Sequence, residues 1–405
     1  MVDPSINEHG QKLDRLQLFA LFGLMVIGTL FVASATLANP DFASRPWFDQ
    51  VWVRQIIWYI VGIGAGAMLC FIDYHIITRW ATVIYWIAIF FLVAVLIPHI
   101  GSVHLGARRW IELPFFELQP SEFAKLAFIL AMANFLSRPE DELRWPIVFW
   151  KAIGMMLLPF ALILKEPDLG SALVLLPTGL VMMYVAGIPR RYLVQLIGSV
   201  GLLVILAVVD VLFAPKALQI PMHEYQRERL LVYFGRDYTS FAPSNASAAE
   251  LASLRQQQLG DEYNVRQALI SVGSGGLTGK GWRHGTQNTL GYLPRAGAHN
   301  DFIFSTIAEE EGFVGSVVVL TLYAVVLFAG LRIAGQARDR LGKLVAVGVV
   351  TLIFSHVFIN IGMNIRIMPV TGVPLPLLSY GGSSVLGSLI AAGFMQNVYI
   401  HRKGY

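Results

Sequence analysis

Hydrophobicity along the chain rises and falls in long blocks rather than in the short alternation of strands. Ten apolar runs stand at about 16–37, 51–72, 80–98, 122–137, 147–164, 170–187, 192–213, 302–331, 342–365 and 384–400. Most reach the ~20 residues that a helix rising ~1.5 Å per residue needs to cross a ~30 Å hydrocarbon layer. Only a helix satisfies every backbone group there from within one segment. The pattern therefore predicts an all-α, polytopic integral membrane protein of about ten transmembrane helices. The run 122–137 is short, and Lys165, Glu166, Pro167 and Asp168 interrupt 147–187, which leaves one kinked helix open as an alternative to two. The whole chain, 1–405, reads as a single transmembrane domain with one long loop, 214–300, between spans seven and eight.

An even number of spans puts both termini on one side, and basic residues decide which. One side holds Lys12, Arg15, Arg79, Arg138, Arg144, Lys151, Arg190, Arg191, Arg332, Arg338, Arg340, Lys343, Arg402 and Lys403. The opposite short loops hold Arg45, Arg54, Arg108, Arg109, Lys165 and Arg366. The richer side, with both termini, is expected in the cytoplasm, and the long loop outside. Met1 to Arg15 is polar and the first apolar run is too long for a signal-peptide core, so that run is expected to be the first span rather than a cleaved leader.

Composition agrees with the pattern: 56% of residues are hydrophobic and 14% charged, against roughly 25% charged in soluble domains. The net charge of +4 follows from the loop distribution of Lys and Arg, and nothing basic and aromatic is patterned for nucleic acid. The single cysteine, Cys70, lies in an apolar run and can form no intrachain disulfide.

Within the long loop, residues 239–260 are rich in Ser, Ala and Gln with little apolar periodicity, and are expected to be partly mobile, while 220–234 suits an amphipathic helix. The run Gly273-Ser-Gly-Gly-Leu-Thr-Gly-Lys-Gly-Trp282 invites comparison with a phosphate loop. The comparison fails, because Ser274 stands where the first glycine belongs and Gly281 replaces the Ser or Thr after the lysine.

Ionisable residues at membrane depth are costly and by default functional. Four clusters lie on the outer side. Arg108 and Arg109 precede Gln119-Pro-Ser-Glu122, with Lys125 three residues beyond Glu122 on one helical face; a capped helix start with a local ion pair explains this as well as a binding role does, but two outer arginines suit a diphosphate. Lys165-Glu-Pro-Asp168 breaks two apolar stretches, either as a simple turn or as cavity lining. His299-Asn-Asp301 opens the eighth span, where an N-cap would also account for Asp301. Glu309 follows it by eight residues, about 12 Å along one helical face, which suggests a polar stripe entering the bundle. Residues 366–384 carry three prolines and small residues, including Ser379, Ser383 and Ser384, and read as a re-entrant, protein-covered lip whose hydroxyls bind a ligand or cap the last helix.

These segments, in this order along nearly the whole chain, resemble the SEDS family of peptidoglycan glycosyltransferases, which includes RodA, FtsW and SpoVE. Residues 373–376 and 165–170 are most similar to the RodA branch. Two places depart from the family pattern: the stretch 295–300 before Asp301, and an insertion around 239–260. The resemblance implies polymerisation of lipid II, an undecaprenyl-diphosphate-linked disaccharide-pentapeptide, on the outer face of the bacterial inner membrane during cell-wall elongation and cell-shape maintenance. It implies inverting transfer with Asp301 as general base, and substrate binding by Arg109, Glu122, Lys125, Lys165, Asp168, His299, Ser379 and Ser384. It also implies a class B penicillin-binding protein transpeptidase and other elongation-complex membrane proteins as partners. No cluster has metal-ligand spacing; Mg or Mn could assist the leaving diphosphate without being required by the sequence. A lipid-linked sugar flippase or other transporter, and a non-catalytic scaffold of the cell-wall synthesis complex, are the competing readings.

Overall fold

The computed structural model describes residues 13–38, 42, 44–98, 100–104, 107–112, 117–213, 231–235, 247–293 and 297–402. Residues 220–230 and 239–246, on which parts of two loop expectations fall, lie outside the described residues, as do 294–296.

Each apolar run folds into a helix: α1 (Arg15–Leu37), α2 (Val51–Cys70), the short α3 (Tyr74–Arg79), α4 (Ala81–Leu96), α5 (Pro120–Leu136), the short α6 (Glu140–Leu143), α7 (Pro146–Lys165), α8 (Leu169–Ala186) and α9 (Arg190–Phe213). After the long loop, which carries α10 (Ala248–Ser274) and α11 (Thr286–Thr289), come α12 (Ile303–Gln336), α13 (Arg340–Asn364) and α14 (Gly382–Ile400). Among the described residues, eight of these helices are long and apolar enough to cross a membrane. The stretch 147–187 is two helices: Asp168 accepts from the Ser171 amide at 3.0 Å and caps α8 afresh.

Two features add to the pattern of spans. Three short strands, β1 (Gly101–His104), β2 (Ala107–Glu112) and β3 (Glu117–Leu118), form a small antiparallel sheet in the order β1-β2-β3. Residues 248–274 form one continuous helix, which overlaps the segment 239–260 in its described part, 247–260. Its Ala, Leu, Glu, Gln and Arg are strong helix formers, so helix formation there does not need an apolar stripe.

Burial orders the bundle. Helix α13 is mostly buried, whereas α9 is mostly exposed. Helix α13 is the hub, packed on α5, α8, α12 and α14. Large apolar side chains such as Phe19, Phe22, Leu203 and Ile205 face outward, as expected where lipid rather than water is the neighbour.

At one end of the bundle, polar side chains lock the helix termini together. Asp14, the N-cap of α1, is paired with Arg332, and its backbone exchanges hydrogen bonds with Gln396 of α14 at 2.9 and 3.1 Å. Beside it, His75 bridges Asp73 at 2.7 Å and Asp339 at 2.9 Å, and the Tyr74 hydroxyl donates to Asp339 at 2.6 Å. Burial alone would lower the His75 imidazole, but hydrogen bonds and charge from the two carboxylates outweigh it and hold it above its usual value. For Asp73 and Asp339 burial acts upward, and hydrogen bonds from His75, Tyr74 and backbone amides outweigh it and lower both.

A group raised in the folded state adds stability that is complete below its unfolded value, ~6.5 for histidine, and that is lost as pH rises through the raised value. The difference in thermal midpoint between wild type and His75→Asn, measured in detergent, is therefore expected to be largest near pH ~6 and to shrink toward pH ~9. A difference that does not vary over that window would show that the bridge is not charged.

Candidate functional site

The four outer clusters meet around the lip, residues 366–381. This segment is not helical, yet Val373, Leu375, Leu377 and Leu378 are buried, so its carbonyls have no water and need protein donors. They receive them from several helices. The Tyr59 hydroxyl donates to the Leu377 carbonyl at 2.6 Å, Tyr323 to Pro376 at 2.5 Å, Gln55 to Ser379 at 3.2 Å and Asn360 to Val373 at 2.7 Å. The Ser379 hydroxyl closes the turn by accepting from the Leu375 amide at 2.8 Å and donating to the Asn300 carbonyl at 2.7 Å. The Tyr380 amide donates to the His299 carbonyl at 2.9 Å. The lip is thus stitched to the turn that carries Asp301.

Asp301 precedes α12 rather than capping it; Phe302 is the N-cap position. Its carbonyl accepts from the side-chain amides of Asn360 and Asn364, each at 3.0 Å. Its carboxylate lies against Gly372, where φ is +71° and an added Cβ would stand 3.5 Å from Oδ2. Asp301 is half-buried, with its backbone fixed inside and its carboxylate at the lip.

Because the helix starts after Asp301, the expected stripe down to Glu309 does not form. Glu309 instead accepts from Lys280 Nζ at 2.5 Å, Thr286 Oγ1 at 2.9 Å and the Gln287 amide at 3.1 Å. Glu310 accepts from Ser34 Oγ and from the Arg283 amide. The glycine-rich run has a structural task here. Helix α12 breaks at Gly312, φ +65°, and the Lys280 and Gly281 amides donate to the Glu309 and Glu310 carbonyls at the break while the Gly276 and Leu277 carbonyls accept from Phe313 and Val314.

Beneath the lip, Pro120 opens α5, and Lys125 donates to Glu122 at 2.8 Å. Lys125 Nζ also lies 2.9 Å from His356 Nε2 on α13. Lys125 has only donors to offer, so Nε2 accepts and the His356 proton sits on Nδ1, which faces the Pro374 carbonyl at 3.4 Å. Asp168 is buried and bonded to Gln119 at 3.2 Å, and Gly170 packs directly on Thr371 and Val373 of the lip.

The cationic candidates divide by what they are bound to. Arg109, on β2, donates to the Glu166 carbonyl at 3.1 Å and to the Pro167 carbonyl, clasping the turn between α7 and α8. Lys165 is exposed at the end of α7. Glu166, beside them, is 0% exposed with neither carboxyl oxygen hydrogen-bonded. Burial, reinforced by Asp168 and opposed by Arg109, pushes its carboxyl up to about 9, so it is protonated at neutral pH. Burial likewise lowers His299 to about 4, so its ring, edge-on to Phe42, is neutral. Ser384 is buried at the start of α14, and the neighbouring Ser383 hydroxyl joins the lip end to β3 through the Glu117 carbonyl at 3.0 Å.

Sequence reasoning did not single out His356, Asn360 or Asn364. Their signal was spacing: polar residues at i, i+4 and i+8 in an otherwise apolar run share one helical face. Among the described residues no group of three or more His, Cys, Asp or Glu stands together as a metal-ligand set.

Residues 15–404 match the family described as "Cell cycle protein", which groups FtsW, RodA and SpoVE. The chain is 34% identical over 394 residues to the peptidoglycan glycosyltransferase MrdB of Escherichia coli K12, covering 96% of this chain and 94% of that one. Its fold is similar to a chain in a structure of the structural coordination of polymerization and crosslinking by a peptidoglycan synthase complex, with TM-score 0.75, 27% identity, and 96% and 98% of the two chains covered. It is also similar to the Rod shape determining protein RodA of Thermus thermophilus, with TM-score 0.64, 26% identity, and 97% and 98% covered.

Glu122 and Lys125 are 5% and 1% exposed, so removing one partner strands a charge. Lys125→Met is expected to lower unfolding free energy in detergent by about 3–5 kcal/mol. Glu122→Gln with Lys125→Met should lose distinctly less than the two single losses added. Strict additivity, read by denaturant unfolding followed through tryptophan fluorescence, would contradict the pairing.

Proposed function

Because the chain belongs to the cell cycle protein family of FtsW, RodA and SpoVE, we infer that it is a peptidoglycan glycosyltransferase that polymerises lipid II into glycan strands. Its work is cell-wall elongation and shape maintenance, in line with the rod-shape relative. The observation that carries the reading is the setting of Asp301: a carboxylate at the lip whose backbone is anchored by two buried asparagines. A general base must be held still and within reach of the proton it takes.

In the reaction, an acceptor sugar hydroxyl attacks the anomeric carbon of the donor. The new C–O bond forms as the bond to the diphosphate breaks, and the hydroxyl proton passes to the Asp301 carboxylate. An α-linked diphosphate replaced from the opposite face gives a β-linkage by single displacement, with no covalent sugar on the protein. The leaving diphosphate is met by Lys165 and by the guanidinium of Arg109 that its two carbonyl bonds leave unspent. Lys125 acts from below, where Glu122 and His356 fix its position, and no step here is routed through a metal ion. His299, being neutral, shapes the acceptor side rather than binding phosphate. Asp168, Ser379 and Ser384 hold the walls.

The site opens on the extracytoplasmic face of the cytoplasmic membrane, by the distribution of basic residues, and the apolar outer surface of the bundle accommodates the polyprenyl tail. A class B penicillin-binding protein crosslinks the product, in line with the relative seen in a synthase complex; other elongation-complex membrane proteins complete the assembly.

Strand formation from labelled lipid II by the purified protein with its transpeptidase is the test. Wild type is expected to make long strands, and Asp301→Ala and Asp301→Asn none above background, a loss of at least ~100-fold, at unchanged thermal stability. Chelation in the same assay reads any need for Mg or Mn. Variants that polymerise like wild type would remove Asp301 as base and move transport or scaffolding to the front.

A further inference from the structure

Helix α13 presents His356, Asn360 and Asn364 on one face, and each joins elements far apart in sequence. His356 faces Lys125 and the Pro374 carbonyl, Asn360 joins Asp301 to Val373, and Asn364 joins Asp301 to Ser305. Asn360 is the middle rung. Its Nδ2 lies 3.0 Å from the Asp301 carbonyl and 2.7 Å from the Val373 carbonyl. Both are acceptors only, so the amide nitrogen must face them, and one NH2 group supplies both bonds.

We propose that Asn360 is a positioning residue that sets the distance between Asp301 and the lip, and through it the placement of the Asp301 carboxylate against Gly372. The role rests on the glycosyltransferase reading above. Three observations support it beyond the hydrogen bonds. Asn360 and Val373 are 0% exposed, so no water replaces a lost bond. Gly372, in contact with the carboxylate, is the residue before Val373, so a shift of Val373 moves the wall that the carboxylate rests on. Asn364, one turn on, holds the same Asp301 carbonyl and accepts from Ser305 at 2.5 Å, so loss of Asn360 cuts the direct tie between Asp301 and Val373 of the lip while Asp301 stays attached to α13. Asn360 acts through geometry and does not touch the reacting atoms.

A control exists in the same protein. Asn397 on α14 is equally buried and also donates to two carbonyls, those of Leu69 at 2.5 Å and Ile72 at 2.6 Å, but it ties helix ends remote from the lip. Asn360→Ser and Asn397→Ser each remove one such amide. With the full-length protein and its transpeptidase, Asn360→Ser is expected to lower kcat for strand formation by about 10- to 100-fold, leave the KM for lipid II within about twofold, and leave lipid II binding unchanged. Asn397→Ser should match it in lost thermal stability and keep kcat within about twofold of wild type. Asn360→Gln keeps the amide and the helix but displaces the two carbonyls by about one bond length, and is expected to fold and to lose kcat about tenfold or more. The inference is overturned if either folded Asn360 variant keeps wild-type kcat, or if Asn397→Ser loses as much kcat as Asn360→Ser. Wild type that makes no strands defeats the glycosyltransferase reading itself; active wild type with active Asn360 variants defeats the inference alone.

Discussion

A carbonyl or amide shut away from water without a partner costs on the order of 1–3 kcal/mol, and the lip places several in the middle of a bundle. That constraint organises the outer half of the protein. The lip persists as an irregular chain because tyrosine, glutamine and asparagine side chains from α2, α12 and α13 bind its carbonyls. The same requirement explains the deep burial of α13: it touches the lip, the Asp301 turn and the Lys125 cluster, and it can do so only from the centre.

The consequence for chemistry is a division of labour among charged groups. Glu122 and His356 hold Lys125 in place, and Arg109 is in part bound to the turn between α7 and α8. Asp301 has its backbone held and its carboxylate at the lip. An ion pair sealed in low dielectric is a rigid spacer as well as a charge, since separating its members would expose each to the full desolvation penalty. Rigidity around a half-buried carboxylate is what a displacement reaction at a bound sugar needs, because misplacement of about 1 Å costs rate more than it costs affinity.

The helices were legible because each apolar run exceeds what a soluble helix needs; the run expected at 170–187 is Leu169–Ala186, and that at 122–137 is Pro120–Leu136. The sheet of β1, β2 and β3 was not, since strands of two to six residues carry too few positions to show a period of two. In the site, the Glu122–Lys125 pair could be read from i,i+3 spacing, but its third member, His356, lies 231 positions away and has no local signature. Glu309 was misread for a related reason: its partners come from the glycine-rich loop, whose course depends on the break at Gly312. Asp301 stood out because a carboxylate next to a span is costly, but its anchoring by asparagines depends on which face of α13 turns inward.

The most direct test of the central claim, that the outer clusters form one site around Asp301, is an experimental structure of the protein in a lipid nanodisc with a non-transferable lipid II analogue. The account predicts the disaccharide at the lip, with a sugar hydroxyl about 3 Å from the Asp301 carboxylate and the diphosphate toward Lys165 and Arg109. An analogue seated instead at the opposite end of the bundle, beside Asp73 and Asp339 with Asp301 bare, would contradict it.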